Sequence, residues 1–451
     1  MNLRVLFSLL SLVLIGLAAI YAPLDLTAAD RVIITLALSS AILWTLEPVP
    51  IEWTALALLF ALPATGLVTF EQTFSSFGSK AIWLVVAGSV LSSLITETDL
   101  ATRLSYWIAR RASGASFIVV LHLMGLFLAL LIPSGVVRVL IIMPIIVRLL
   151  KDLGEQAGSK TSAAIVLSVV CSTYYGGTGI LTASVPNLVV MGVLEARDTP
   201  VYWANWALHM LPVIGILRVA VGAGLVYLLF RPQFGSIDLP RTDSASLGPR
   251  ERSALLLLGV AVLLWSTDIF HGIHPVLVGL GVAVCCFLPR VGPLDIGVLR
   301  TVNFPILVYI GSVFAIGEAM AVVGTSGRIA HSLESAVDLS GSTASQLSAI
   351  TWAVVPFNFI VDTAVVGGVL TPALLDLGAQ PGLTPLQIGL ATAVGTGLVF
   401  IPYQGAPFIL AYSFQAVRMS QFVLLMVLIC LINLVVLVPV NLAYWDWLGL
   451  F

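Results

Sequence analysis

Apolar segments of about 20 residues, the length that crosses a bilayer as helix, follow one another almost without pause along this chain. They fall near 3–22, 32–48, 52–70, 80–98, 162–194, 205–230, 254–270, 272–290, 303–324, 385–414 and 421–445. In lipid, backbone N–H and C=O groups have no water to bond, so such segments must be helices that satisfy themselves. The expected fold is an all-α integral membrane protein with about eleven crossings. Hydrophobic residues make up 59% of the 451 and charged residues 9%, more apolar surface than a water-soluble core absorbs. A net charge of −2, with no basic tract or acidic tail, gives no face for nucleic acid. The lipid bilayer is the expected surrounding. Arg4 followed by 5–20 and the small residues Ala18 and Ala19 also suits a cleaved signal peptide. The many helices that follow favour a first spanning helix.

Two further apolar stretches, 115–150 and 343–377, are interrupted in the middle by turn formers: Ile132-Pro133-Ser134-Gly135 in one, Pro356 and Asp362-Thr363 in the other. Both are expected to be re-entrant helical hairpins. Lys and Arg gather on one side of this topology. Arg103, Arg110, Arg111, Arg148, Lys151, Lys160, Arg231, Arg250, Arg290 and Arg300 face Arg31, Lys80, Arg197 and Arg328 across the membrane. The richer side is the cytoplasm, which places the N-terminus inside, the C-terminus outside, the first hairpin entering from the cytoplasm and the second from outside.

The most polar stretch, RPQFGSIDLPRTDSASLGPRERS, divides the chain. It implies an N-terminal half at 1–230, a cytoplasmic linker at 231–253 and a C-terminal half at 254–451. The halves repeat at nearly constant spacing. LWTLEPVPIEWTALALL parallels LWSTDIFHGIHPVLVGL, PSGVVRVLIIMP parallels IVDTAVVGGVLTP, and GGTGILTASVPNLVVMG parallels GTGLVFIPYQGAPFILA. With the N-terminal helix set aside, the two units begin on opposite sides of the membrane and are inverted repeats. Matched Gly- and Pro-interrupted helices in inverted repeats are the signature of a secondary transporter, because unwound backbone in lipid must face a cavity, ligand or ion.

These stretches resemble the divalent anion:sodium symporter family, the sodium/dicarboxylate and sodium/sulfate carriers, from about Leu36 to Tyr412. LWTLEPVP is similar to the family's Trp-x-x-Glu-x-x-Pro signature, FGSKAIWLVVAGSVLSSLITETDLATRLS to its fourth helix, and Gly176-Gly177 through Pro186-Asn187-Leu188 to its Gly-Gly…Gly-Thr-Pro-Pro-Asn run. The resemblance implies a homodimer in the cell membrane. It implies a transport domain that moves as an elevator against a scaffold, with a di- or tricarboxylate or sulfate held between two hairpin tips and two broken helices. Sodium is the coupling ion the resemblance implies, and no other cofactor is expected. The chain departs from the family where hairpin tips read Ser-Asn-Thr. Here the first reads Ser134-Gly135-Val136 and the second Val361-Asp362-Thr363. The second broken helix keeps Pro402 and Pro407 but lacks the family's Thr and Asn.

The substrate-binding residues expected from this alignment are Ser134, Gly135, Arg138, Ser184, Pro186, Asn187, Asp362, Thr363, Gln404, Gly405 and Pro407. The ion-coupling ones are Ser134, Gly176, Asp362 and Thr363. Arg138, one helical turn past Ser134, is a charge at membrane depth and needs a partner. Its fork suits the oxygen pair of a carboxylate or sulfate. A bridge to Asp362 and snorkelling to the cytoplasm are the other roles open to it. Asp362 is open as proton site, cation ligand or counter-ion to Arg138, and Asn187 as anion ligand or helix cap. Arg218 and Glu318 are single charges in apolar segments with no partner legible in the sequence. Cys171, Cys285, Cys286 and Cys430 lie in apolar runs and are read as packing residues. His122, His209, His271, His274 and His331 are scattered without metal-ligand spacing. No nucleophile–base or metal constellation stands out, which argues against an intramembrane enzyme. A relative of arsenite or sodium/proton antiporters would share broken repeats, and the Trp-x-x-Glu-x-x-Pro signature argues against that.

Overall fold

The computed structural model describes residues 3–21, 26–98, 100, 103, 116–132, 134–232, 247–289, 292–334, 337–379 and 382–451. Most of the expected linker, together with Pro133 of the first tip and Arg110 and Arg111, lies outside them. Among the described residues every regular element is helical. Four helices, Ala28–Leu46, Trp203–Phe230, Phe304–Val323 and Met419–Trp447, are long and apolar enough to cross a membrane unaided, and Phe70–Gly78 with Lys80–Thr96 forms a fifth candidate bent by 43°. Two segments counted as crossings, and expected to be interrupted at their Gly and Pro residues, are each divided. The stretch 162–194 becomes Lys160–Gly177 and Val185–Glu195, and 385–414 becomes Pro385–Thr396 and Ala406–Ser413. Each interrupted stretch is likewise two helices: Ser116–Leu131 with Gly135–Asp152, and Thr343–Asn358 with Thr363–Ala379.

Side chains at the helix starts explain where the chain turns. Thr27 and Asp30 form a reciprocal cap, and the buried Asp30 carboxylate also takes Thr325 Oγ1 at 2.7 Å and Arg328 Nη2 at 2.6 Å, tying two helices far apart in sequence. Ser159 and the Thr384–Gln387 pair start the two helices that later break. Ser116–Leu131 lies close along Lys160–Gly177 because Gly125 leaves no side chain in the way. A Cβ there would stand 2.0 Å from Ser172 Oγ and 2.9 Å from the Thr173 amide nitrogen.

Each break exposes carbonyls and amides that lipid cannot satisfy, and buried amide side chains take them up. In the first, Asn187 Nδ2 donates to the carbonyls of Thr178 at 2.9 Å and Ile180 at 3.1 Å. In the second, Gln404 Oε1 accepts from the Phe400 and Ile401 amides at 2.6 and 2.8 Å, and its Nε2 donates to the Asn358 carbonyl at 2.6 Å. Asn358, on the first arm of the second hairpin, closes the circuit by donating to Gly395 O at 2.9 Å and Leu398 O at 3.0 Å.

Arg218 joins the two breaks. It is 1% exposed and follows a π-helical turn, Leu211–Leu217, inside its long helix. Its Nη2 donates to Thr178 Oγ1 at 2.6 Å, Nη1 to the Gly397 carbonyl at 3.0 Å and Nε to the Ile214 carbonyl at 2.9 Å, while the guanidinium lies 5.4 Å from the Tyr175 ring centre. With its amide oxygen turned inward, Asn433, in the π-helical turn Asn433–Leu437 of the last helix, accepts from Nε and Nη1 at 3.1 and 3.0 Å. Thr178 and Gly397 directly follow Gly177 and Thr396, the last residues of two half-helices whose C-terminal ends carry partial negative charge. One guanidinium therefore neutralises both ends.

Two outcomes follow for stability. Gly125→Ala should cost about 1–3 kcal/mol by overpacking, read as a lowered thermal midpoint in detergent. Arg218→Met should lose roughly 2–6 kcal/mol, at about 1–3 each for the Gly397 carbonyl and the Asn433 amide oxygen, the two of its four acceptors that depend on it, with Arg218→Lys intermediate. A midpoint unchanged in Arg218→Met would show that Arg218 does not hold the breaks together.

Candidate functional site

The functional centre grows from the tips of the interrupted stretches. Ser134 caps the helix Gly135–Asp152, its Oγ accepting from the Val137 amide at 3.3 Å. One turn on, Arg138 is 1% exposed and folds back across the tip, donating from Nη1 to the Ile132 carbonyl at 2.7 Å and from Nη2 to the Ala183 carbonyl at 2.9 Å in the first broken segment. Its Nε has no partner among the described residues. Two glycines clear the space. A Cβ at Gly135 would stand 2.9 Å from Pro407 Cγ, and one at Gly177 would stand 2.9 Å from Arg138 Nη2. The N-terminus of Gly135–Asp152 thus abuts that of Ala406–Ser413.

The second tip meets the first broken segment in the same manner. Gly367, one turn into Thr363–Ala379, lies against the Pro186 carbonyl and Val190, which brings the N-terminal turns of Thr363–Ala379 and Val185–Glu195 together. Asp362 Oδ1 accepts from the Ala364 amide at 2.9 Å and from the Tyr309 hydroxyl at 2.9 Å. No ion pair joins it to Arg138 among the described residues. The ring of Tyr174 packs on Phe408, 4.4 Å between centres, and on Gly405 at the start of the helix that carries Pro407. Four helix N-termini, each an end of partial positive charge, therefore pack in two pairs at the tips, one pair beside a buried guanidinium. That arrangement suits an anion.

Of the residues expected from sequence, Ser134, Gly135, Arg138 and Pro407 come together at one junction, and Pro186 and Thr363 lie on the two elements that form the other. Ser184 opens the Val185–Glu195 helix and is 9% exposed. Asn187 and Gln404 spend their amide groups inside the breaks, and Gly405 lies beside the Tyr174 ring. Gly176 packs on Leu126 and Val219. Tyr174, Tyr309, Asn358 and the partners of Arg218 escaped the sequence reading. The lone intramembrane charge of Arg218 was a signal, whereas nothing local marks Tyr174 or Asn358 among apolar neighbours.

Away from the tips, a cavity of about 380 Å³ is lined by residues that include Lys80, Gly192, Glu195, Phe314, Glu318 and Gly368. At its rim Glu195 holds His274 Nε2 at 2.5 Å and Lys80 Nζ at 3.9 Å, and Arg197 pairs with Asp376 at 3.0 Å. It separates the broken-helix group from Lys80–Thr96 and Phe304–Val323. A Cβ at Gly192 would meet Phe314 Cζ at 2.4 Å and one at Gly368 would meet Val313 Cγ1 at 2.3 Å, so glycines let the two groups approach closely.

Comparison with known proteins places this architecture. The chain is similar to the L-tartrate/succinate antiporter of Escherichia coli strain K12, 25% identical over 82% of this chain and 79% of that protein. It is also similar to the sodium-dependent dicarboxylate transporter SdcS of Staphylococcus saprophyticus, 24% identical over 56% of this chain and 52% of that one. In fold it is similar to the YdaH transporter of Alcanivorax borkumensis, with a TM-score of 0.52, 17% identity and coverage of 99% and 98% of the two chains. The family model for the citrate transporter matches residues 41–382, in keeping with the resemblance to divalent anion carriers. The protein is a multi-pass membrane transporter of this divergent group and not an enzyme. Residues 41–382 span most of the chain, both tips and the first break included, and the chain belongs to the citrate transporter family.

Proposed function

We propose that the protein is a secondary carrier of small di- or tricarboxylates that works as an anion exchanger, with Arg138 supplying the positive charge that faces the substrate. The observation behind this is the pairing of helix N-termini beside a buried guanidinium whose bonds go to the Ile132 and Ala183 carbonyls and to no carboxylate. A charge at membrane depth needs partners; Arg138, held by two carbonyls with its Nε unpartnered among the described residues, has room for the transported anion as a further one. The relatives are named for tartrate/succinate exchange and dicarboxylate transport, which favours carboxylates over sulfate. Transport by an elevator motion is consistent with the cavity and glycine contacts between the two groups of helices. The full proposal has a homodimer in the cell membrane, with the N-terminus cytoplasmic and the C-terminus outside.

Electrostatics weigh against sodium as coupling ion. A sodium ion roughly 6 Å from a fixed guanidinium, at an effective dielectric of about 20, is opposed by about 3 kcal/mol, close to a hundredfold in affinity. Arg138 stands at the first tip and Arg218 at the half-helix ends, where transporters of this architecture hold a cation. One observation favours the second reading, sodium symport: Asn187 Oδ1 and Asn358 Oδ1 are buried acceptors with no partner, and a small cation would satisfy them. Between the readings, the pair of fixed charges near the breaks weighs more than two neutral acceptors.

In proteoliposomes loaded with unlabelled succinate, the wild type should take up labelled succinate or tartrate without sodium. Arg138→Ala should abolish uptake at any sodium concentration, and Arg138→Lys should weaken it about tenfold, since the paired fork is lost. Uptake rising steeply with sodium, with a Hill coefficient of about two, would overturn the exchanger reading.

A further inference from the structure

Adjacent tyrosines at the end of Lys160–Gly177 divide into a packing residue and a site residue. Tyr175 is 1% exposed and its hydroxyl donates to the Val399 carbonyl at 2.5 Å, a bond that ties the two broken segments together. Tyr174 is only half-buried. Its ring is fixed by Phe408, 4.4 Å between centres, and by the edge of Tyr175 at 5.6 Å. A Cβ at Gly405 would stand 3.3 Å from Tyr174 Cε2 and 3.4 Å from its hydroxyl oxygen, so glycine at that position keeps room for the phenol. From this seat the hydroxyl lies beside Gly405, two residues before the Pro407 that packs on Gly135 at the first tip, where a Gly135 Cβ would stand 3.4 Å from Arg138 Nη2. One side chain thus touches its own broken helix and the other broken helix, next to the first tip.

The chemistry of the opposite wall explains why a hydroxyl is needed there. Gly405-Ala406-Pro407, which begins the helix Ala406–Ser413, carries no polar side chain, and Gln404 is consumed inside the break. Asp362 adds no donor for an anion, since a carboxylate only accepts, and its Oδ1 is taken by Tyr309 and the Ala364 amide. A dicarboxylate bound at Arg138 by one end would leave its other carboxylate facing backbone amides and a wall without side-chain donors. We propose that the Tyr174 hydroxyl is a direct ligand of the transported anion, donating to the carboxylate that Arg138 does not hold, and so makes the site selective for dianions. This rests on the carboxylate-carrier reading above. A neutral phenol adds a donor without adding charge, which lets the site release its cargo on either side of the membrane.

Tyr174→Phe keeps the ring on Phe408 and removes only the hydroxyl, so the thermal midpoint should match the wild type. In succinate-loaded proteoliposomes the half-saturation concentration for labelled succinate should rise about tenfold or more, the worth of a hydrogen bond to a charged group, with the maximal rate within about twofold. Monomethyl succinate, which lacks the second carboxylate, should compete against label nearly as well in Tyr174→Phe as succinate does, whereas the wild type discriminates between them. An unchanged half-saturation with preserved discrimination would overturn the role of Tyr174, as would a lowered rate that is equal for both compounds. Arg138→Ala separates the two levels. If the wild type exchanges succinate and Arg138→Ala does not, a normal Tyr174→Phe defeats the Tyr174 proposal alone. If the wild type exchanges no dicarboxylate, the carrier reading fails and the proposal with it.

Discussion

Unwound backbone at membrane depth has to find its hydrogen-bond partners inside the protein, and this one requirement organises the molecule. Two helices break, and their loose carbonyls and amides are gathered by Asn187, Asn358 and Gln404. Arg218 then bridges the two half-helix ends through Thr178 and Gly397. What these side chains leave unsatisfied is as informative as what they bond. The carbonyl ends are taken up, while the N-terminal turns of Val185–Glu195 and Ala406–Ser413 remain directed at the hairpin tips, so the structure keeps positive dipole ends for something outside itself. The stitching of the breaks and the site are two halves of one solution.

The same asymmetry governs charge. Arg138 and Arg218 are among the most deeply buried side chains, and neither meets a carboxylate among the described residues. Arg218 is matched by helix C-termini, a ring face and an amide oxygen, enough for a permanent structural cation. Arg138 has two carbonyls and an unpartnered Nε, which leaves it electrostatically incomplete. That contrast between two arginines, one saturated and one not, is what separates scaffold from site.

Much of this was legible in the sequence because it is local. Pro, Gly and Ser in mid-apolar runs announced the tips at Ser134 and Thr363 and the breaks after Gly176-Gly177 and before Pro407, and the lone charge of Arg138 announced itself by its cost in lipid. Partners were not legible, because they are set by packing between distant segments. Tyr309 reaching Asp362, Asn358 serving the break at Gly395, and Tyr174 packing on Phe408 join residues whose sequence neighbours carry no hint of one another. Residues chosen by alignment also changed character in three dimensions: Asn187 and Gln404 turn their amides into the backbone.

The central claim is that the protein carries its positive charge in its own arginines, so that anion binding needs no added cation. Isothermal titration of succinate into the purified protein in choline buffer, repeated with sodium, tests this without relying on transport. The account predicts saturable binding of one anion per chain with an affinity that is the same in both buffers and is lost in Arg138→Ala. Binding that appears only when sodium is present would contradict it.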